Sequence, residues 1–118
     1  MVRELVLECT FLIPIRRDAD LSDGRLHSTT AWNWLSDELY EQFGGRTVAP
    51  GLYQGVYKDP ETRQAVRDKC RKFTVAVKRR EVGRIRRLLA EACDRFRQKC
   101  IYLSVAGRVE FIEAREHG

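Results

Sequence analysis

Four stretches of this chain keep the period of one kind of secondary structure, and their order leaves few folds open. In residues 4–15, Leu5, Leu7, Cys9, Phe11 and Ile13 alternate with a mixed set, which predicts a strand with an apolar core face. Residues 28–43 carry Trp32, Leu35, Leu39 and Phe43 at intervals of three and four, the stripe of an amphipathic helix. Ser28, Thr29 and Thr30 offer N-cap oxygens for it. Residues 65–78 return to alternation through Phe73, Val75 and Val77. Residues 82–98 return to the helical stripe through Val82, Ile85, Leu89, Ala92 and Phe96.

Between these stretches, residues 48–59 read as a strand interrupted by Gly51 and Gly55. Asp59-Pro60-Glu61-Thr62 follows as a type I turn. Residues 100–113 read as a strand, a turn at Ala106-Gly107-Arg108 and a short return strand. The order β-α-β-β-α-β predicts an α+β fold, a ferredoxin-like sandwich. It has a four-stranded antiparallel sheet, both helices on one face and room for an extra C-terminal hairpin strand. The expected core contains Leu7, Phe11, Leu35, Leu39, Val75, Ile85, Leu89 and Leu103. A length of 118 residues suits one domain over 1–118, with 114–118 as a frayed tail.

Gly44-Gly45 raises the question of a phosphate loop. Such a loop needs a strand, then glycines, then a helix N-terminus whose amides face the anion. Here the glycines follow a helix, where a left-handed C-cap belongs. Other chemistries are also argued down. The cysteines, Cys9, Cys70, Cys93 and Cys100, form no CxxC pair, and His27 and His117 fall in a loop and at the C-terminus. That spacing predicts no metal site, and no cofactor motif is present. Cys9 and Cys93 read as small buried hydrophobes. A Ser-based triad lacks a placed base. Asp18 and Asp20, after the first strand, suit a solvated loop better than a Mg²⁺ site. In Trp32-Asn33-Trp34, Trp32 reads as a core anchor and Trp34 as cover for an interface. No run approaches the ~20 apolar residues of a membrane span. Glu8 interrupts the only leader-like segment, so the expected location is the cytoplasm, with no membrane partner.

Charge is unevenly placed. Residues 67–99 hold 13 Lys or Arg against 4 Asp or Glu, whereas the net charge of the whole chain is only +5. Arg80, Arg84 and Arg87 make one helical stripe, with Lys78 and Arg79 beside its N-terminal end. These five residues are the candidate anion or nucleic-acid site, and a solvated, internally paired helix face is the competing reading.

The tracks "F-G-G-x-T", "G-x-Y-x-G-x-Y-x-D", "C-x-K-F-T-V-A-V" and "Q-K-C-I-Y-L" run through residues 40–105. Together they resemble a small bacterial family of ferredoxin-like domains of unknown function. The resemblance implies a fold and an oligomer but no reaction. If both helices cover one sheet face, the other carries Thr10, Leu12, Thr74, Ala76, Tyr102, Tyr53 and Tyr57, a surface apolar enough to predict a homodimer through it. The leading expectation is therefore a non-enzymatic, oligomeric binding or interaction module in the cytoplasm. The alternatives are a nucleic-acid- or nucleotide-binding protein using the 67–99 segment, and a small dimeric α+β-barrel enzyme with a pocket under the sheet.

Overall fold

The computed structural model describes residues 4–59 and 61–114. The chain runs β1 (Val6–Pro14), α1 (Thr29–Phe43), β2 (Thr47–Val48), β3 (Tyr53–Lys58), β4 (Ala65–Lys78), α2 (Val82–Arg95), β5 (Cys100–Val105) and β6 (Arg108–Glu113). A short 3-10 turn, Arg79–Glu81, leads into α2. All strand pairs are antiparallel, in the order β2-β4-β1-β5-β6, with β3 also on β4.

The α+β class and the two helices on one face are as expected. The sheet has six strands instead of four, for two reasons. The segment expected as one strand over 48–59 breaks between Val48 and Tyr53, where Gly51 takes a φ of 76° that a strand cannot continue through. The return strand after Ala106-Gly107 is also fully formed, pairing Val105 with Arg108 through Cys100 with Glu113.

The core lies between the helices and one sheet face. Cys9, Phe11 and Ile13 of β1, Phe73, Val75 and Val77 of β4, and Ile101, Leu103 and Val105 of β5 meet Leu35, Leu39, Ile85, Leu88 and Leu89 of the helices. Phe11 and Phe73 are register partners, and their rings stack with centroids 5.2 Å apart. Of the expected core, Leu7 is only partly buried and the rest is buried. The buried apolar face does not extend back to Leu5, which precedes β1 and is 55% exposed.

Helix α1 ends as its sequence dictates. Ser28 caps the start, its Oγ accepting from Ala31 N, and Gly44 ends it at φ 78° while donating to Tyr40 O. The turn expected at Asp59-Pro60-Glu61-Thr62 includes Pro60, which lies outside the described residues, as do His117 and the tail from residue 115.

β4 is longer than its neighbour. β1 pairs with it only from Cys70 to Lys78, so Ala65–Lys69 ladders only with β3. The β3–β4 hairpin therefore projects past the end of β1, and every residue of β3 is exposed. This projection makes one wall of the site below.

Candidate functional site

The loop after β1 forms the opposite wall. Arg16 bridges to Leu26, and Arg17 N donates to Arg25 O, so the loop folds back on itself. His27 anchors its end. The ring is 9% exposed, its Nε2 lies 2.7 Å from Pro14 O, and it meets Trp32 and Phe96 edge-on. This loop histidine is thus a core residue, and burial holds its pKa below the ordinary value. Gln98 fixes the loop from below. It is buried, and its Nε2 donates to Arg16 O and to Phe96 O, both at 2.8 Å. Asp18 N donates to Arg97 O at 2.9 Å, which ties the loop to the exit of α2.

Between loop and hairpin lies a cleft of 420 Å³. Its walls carry Asp18 and Asp20 from the loop, Tyr57 and Asp59 from the β3 side, Asp68 from β4 and Lys99 beyond α2. Tyr57 faces Val66 across the ladder and Asp68 lies two residues further on, so all three side chains share one sheet face.

The charges in the cleft are not equivalent. Lys99 Nζ bonds Asp20 Oδ2 at 2.8 Å, and this pairing raises the lysine pKa. Arg17 is paired with Asp23 at 3.2 Å. Asp18 Oδ1 accepts from Asp20 N, and Asp59 Oδ1 from Glu61 N and Thr62 N, so both also brace turns. Asp68 has no hydrogen bond or ion pair among the described residues. Its half-burial, and then the nearby Asp18 charge, push its pKa up. Burial, then Asp68 and Asp18, likewise raise the Tyr57 pKa, so the phenol stays protonated at neutral pH. The cleft thus presents an unpaired carboxylate beside a protonated tyrosine, a combination suited to a ligand with positive charge and hydroxyl groups.

The residues expected to bind anions lie elsewhere. Lys78, Arg79 and Arg80 come together with Glu4 and Leu5 around a groove at the far end of β4. Glu4 partly neutralises them, bonding Lys78 at 3.2 Å and Arg80 at 2.9 Å. Arg84 and Arg87 sit outside this groove on exposed helix surface. The residues expected at an interface fall on the sheet face away from the helices, as their register requires: Thr10 opposite Thr74, Leu12 opposite Tyr102, Tyr53 opposite Cys70, with Ala76 and Tyr57 on the same side. Trp34 packs against the core, with Arg95 stacked 4.4 Å from its ring centroid. Asp68 was not singled out by the sequence reading. One strand carboxylate in an alternating segment looks like any solvated side chain until the fold sets it beside Asp18.

No family model matches the chain, and a search of curated proteins finds no match. Among solved structures, a phage SAM lyase in complex with S-methyl-5'-thioadenosine superposes with a TM-score of 0.69 at 14% identity, over 100% of this chain and 98% of that one. A phage SAM lyase in the apo state gives a TM-score of 0.63 at 13% identity with the same coverage. The fold is therefore SAM lyase-like. These full-length matches overturn the resemblance to bacterial ferredoxin-like domains of unknown function, which rested on glycine and hydrophobic placement alone. The expectation of a non-enzymatic interaction module is corrected by the same matches, both of which are to structures of a SAM lyase. Among the described residues no helix is long and apolar enough to cross a membrane.

Proposed function

We propose that this chain is an enzyme acting on S-adenosylmethionine, with the acidic cleft as its ligand site. The observation that carries this reading is Asp68, a half-buried carboxylate with no partner among the described residues, set beside Tyr57 and Asp18 in a cleft of 420 Å³. That volume is within the range of sites for ligands of this size. The full-length likeness to a lyase of this substrate supports the same reading.

The chemistry of the cleft fits the ligand. S-adenosylmethionine carries a sulfonium, an ammonium and a carboxylate. Its conversion to S-methyl-5'-thioadenosine breaks the bond between sulfur and the four-carbon amino-acid arm. Sulfur keeps the electron pair and becomes a neutral thioether. In a lyase reaction no water is consumed, and the balanced route taken here is attack of the arm's own carboxylate on the carbon bonded to sulfur, which closes a five-membered lactone as the C–S bond breaks. That carboxylate must stay free to attack. Lys99 and Arg17 are already occupied by Asp20 and Asp23, so of the three cations lining the cleft only the exposed Arg16 has no ion pair among the described residues. Asp68 is placed to hold the ammonium, whose charge persists through the reaction, so binding does not oppose loss of the sulfonium charge. Tyr57 offers a ring face for the purine and a protonated hydroxyl.

The test is incubation with S-adenosylmethionine, followed by chromatography and mass spectrometry for the thioether nucleoside and the lactone. Asp68→Asn should lower the rate at least ~10-fold, the scale of one lost hydrogen bond to a charged group, and Tyr57→Phe, which keeps the ring face, about 2–10-fold. Absence of product together with no calorimetric binding would overturn the assignment.

The inner order β5-β1-β4, continued by β3 on the far edge of β4, supports reading the architecture as a ferredoxin-like sandwich extended by β6. The open face supports self-association, with a homodimer as the simplest closed form. Phe111 is 66% exposed there, edge-on to Tyr102, and extends the patch formed by Leu12 and Thr10. Light scattering at high micromolar concentration should show a dimer that Phe111→Glu disrupts; a monomer under those conditions counts against it.

A further inference from the structure

The start of β1, the end of β4 and the β5–β6 turn meet at the end of the molecule away from the acidic cleft. Arg79 N donates to Leu5 O, and Ala106 N to Glu8 O, which fixes the three together. Two adjoining hollows of 480 Å³ each share Leu5 and Arg79. Together they form a continuous groove from Lys78 and Arg80, past Arg79, to Arg86 and Arg108.

The charges along this groove divide into two sets. Glu4 engages Lys78 and Arg80, and Glu110 holds Arg86 through two bonds of 2.8 and 2.7 Å. Arg79 and Arg108 line the groove, are exposed, and have no carboxylate partner among the described residues. Arg87 has none either. Its guanidinium folds back over the first turn of α2, where a Cβ on Gly83 would lie 3.4 Å from its Nη1. A cation there faces the positive end of the helix dipole, and no side chain among the described residues caps that end. An anion alongside would relieve the repulsion.

We propose that this groove binds the phosphodiester backbone of a nucleic acid. Its cations are spread along a channel, which matches a chain of phosphates better than a single one. No aromatic side chain lines it, so there is no platform for base stacking, and binding should be independent of sequence. Leu5 is the one large apolar residue of the lining that is exposed, whereas Leu7 is partly buried and Val82 and Val105 are buried, so the groove presents little apolar surface that could insert into a lipid surface. The inference does not depend on what the acidic cleft binds.

The test is a salt titration of binding to a fluorescein-labelled DNA duplex, read by anisotropy, with anionic phospholipid vesicles and polyglutamate as separate arms. The two unpaired guanidiniums of the groove, Arg79 and Arg108, at about 0.9 per phosphate should weaken binding about 12-fold between ~50 and ~200 mM salt. Arg79→Ala with Arg108→Ala should lower the log–log slope by about 1.8, uniformly across duplex sequences. Circular dichroism confirms that the double variant is folded, and Asp68→Asn serves as a cleft variant that should leave DNA binding unchanged. Absence of binding at ~50 mM salt, an unchanged slope in the double variant, or binding only to vesicles or polyglutamate would overturn the proposal.

Discussion

Gly55 lies directly opposite Asp68 in the β3–β4 ladder, so no side chain stands directly across from that carboxylate. A Cβ at Gly55 would meet nothing within 4 Å. Space for a larger residue is present and unused, on the same face as Tyr57. Gly55→Leu should therefore fold normally while its side chain covers Asp68. The expected result is an unchanged thermal midpoint with at least ~10-fold weaker binding of S-adenosylmethionine by calorimetry, since one bidding contact to a charge is worth about that much. Unchanged affinity would place the ligand elsewhere.

Asp68 also predicts a pH dependence. Burial and the Asp18 charge raise its pKa above the ordinary value of 3.8. The folded state then holds the proton more tightly than the unfolded chain, so this group favours folding at acid pH. That contribution is lost as pH rises through the raised value. Ligand binding runs the opposite way, because a cation needs the ionised carboxylate. Affinity for S-adenosylmethionine should fall as pH is lowered toward that raised value, and Asp68→Asn should abolish this dependence while slightly stabilising the protein at neutral pH. Calorimetry and thermal melts across the acid range check both signs.

His27 titrates in the other direction. Burial lowers its pKa below 6.5, and its Nδ1 is buried without a hydrogen-bond partner among the described residues. The unfolded chain takes up the proton first. Stability is therefore fully present above the unfolded value of 6.5 and is lost as pH falls from there toward the lowered folded value. Chemical denaturation at successive pH values should show this loss, and His27→Gln should flatten it while lowering stability overall. Because His27 anchors the loop that carries Asp18, the same variant should also weaken the cleft.

Leu89 is fully buried between α2 and the sheet. Leu89→Ala leaves a cavity at that contact and should cost ~2–5 kcal/mol in urea denaturation. A loss under ~0.5 kcal/mol would be out of line with a fully buried leucine.

The alternation of Cys9, Phe11 and Ile13, and the stripe through Ile85, Leu89 and Phe96, are legible because burial on one face forces a period, and a period survives in the linear order of residues. The cap at Gly44 is legible for a similar local reason, since only a few residues adopt φ 78° at low cost. The break at Gly51 was marked by the glycine itself, but its outcome, two short strands instead of one, depended on how β4 paired.

The cleft was decided by tertiary structure alone. Asp18, Tyr57, Asp68 and Lys99 come from a loop, two strands and the exit of a helix, and nothing local links them. The β3–β4 register puts a glycine opposite Asp68, and Gln98 holds the loop that brings Asp18 near it. Asp68 differs from the other carboxylates through burial and through the charge of Asp18, and both exist only once the chain has folded. The basic groove divides the same way. The run Lys78, Arg79, Arg80 was visible in sequence, but which cations remain unpaired was set by Glu4, just before β1, and Glu110 of β6, both distant along the chain. Hydrophobic periodicity is a property of neighbours along the chain, whereas pairing and desolvation of charge belong to neighbours in space.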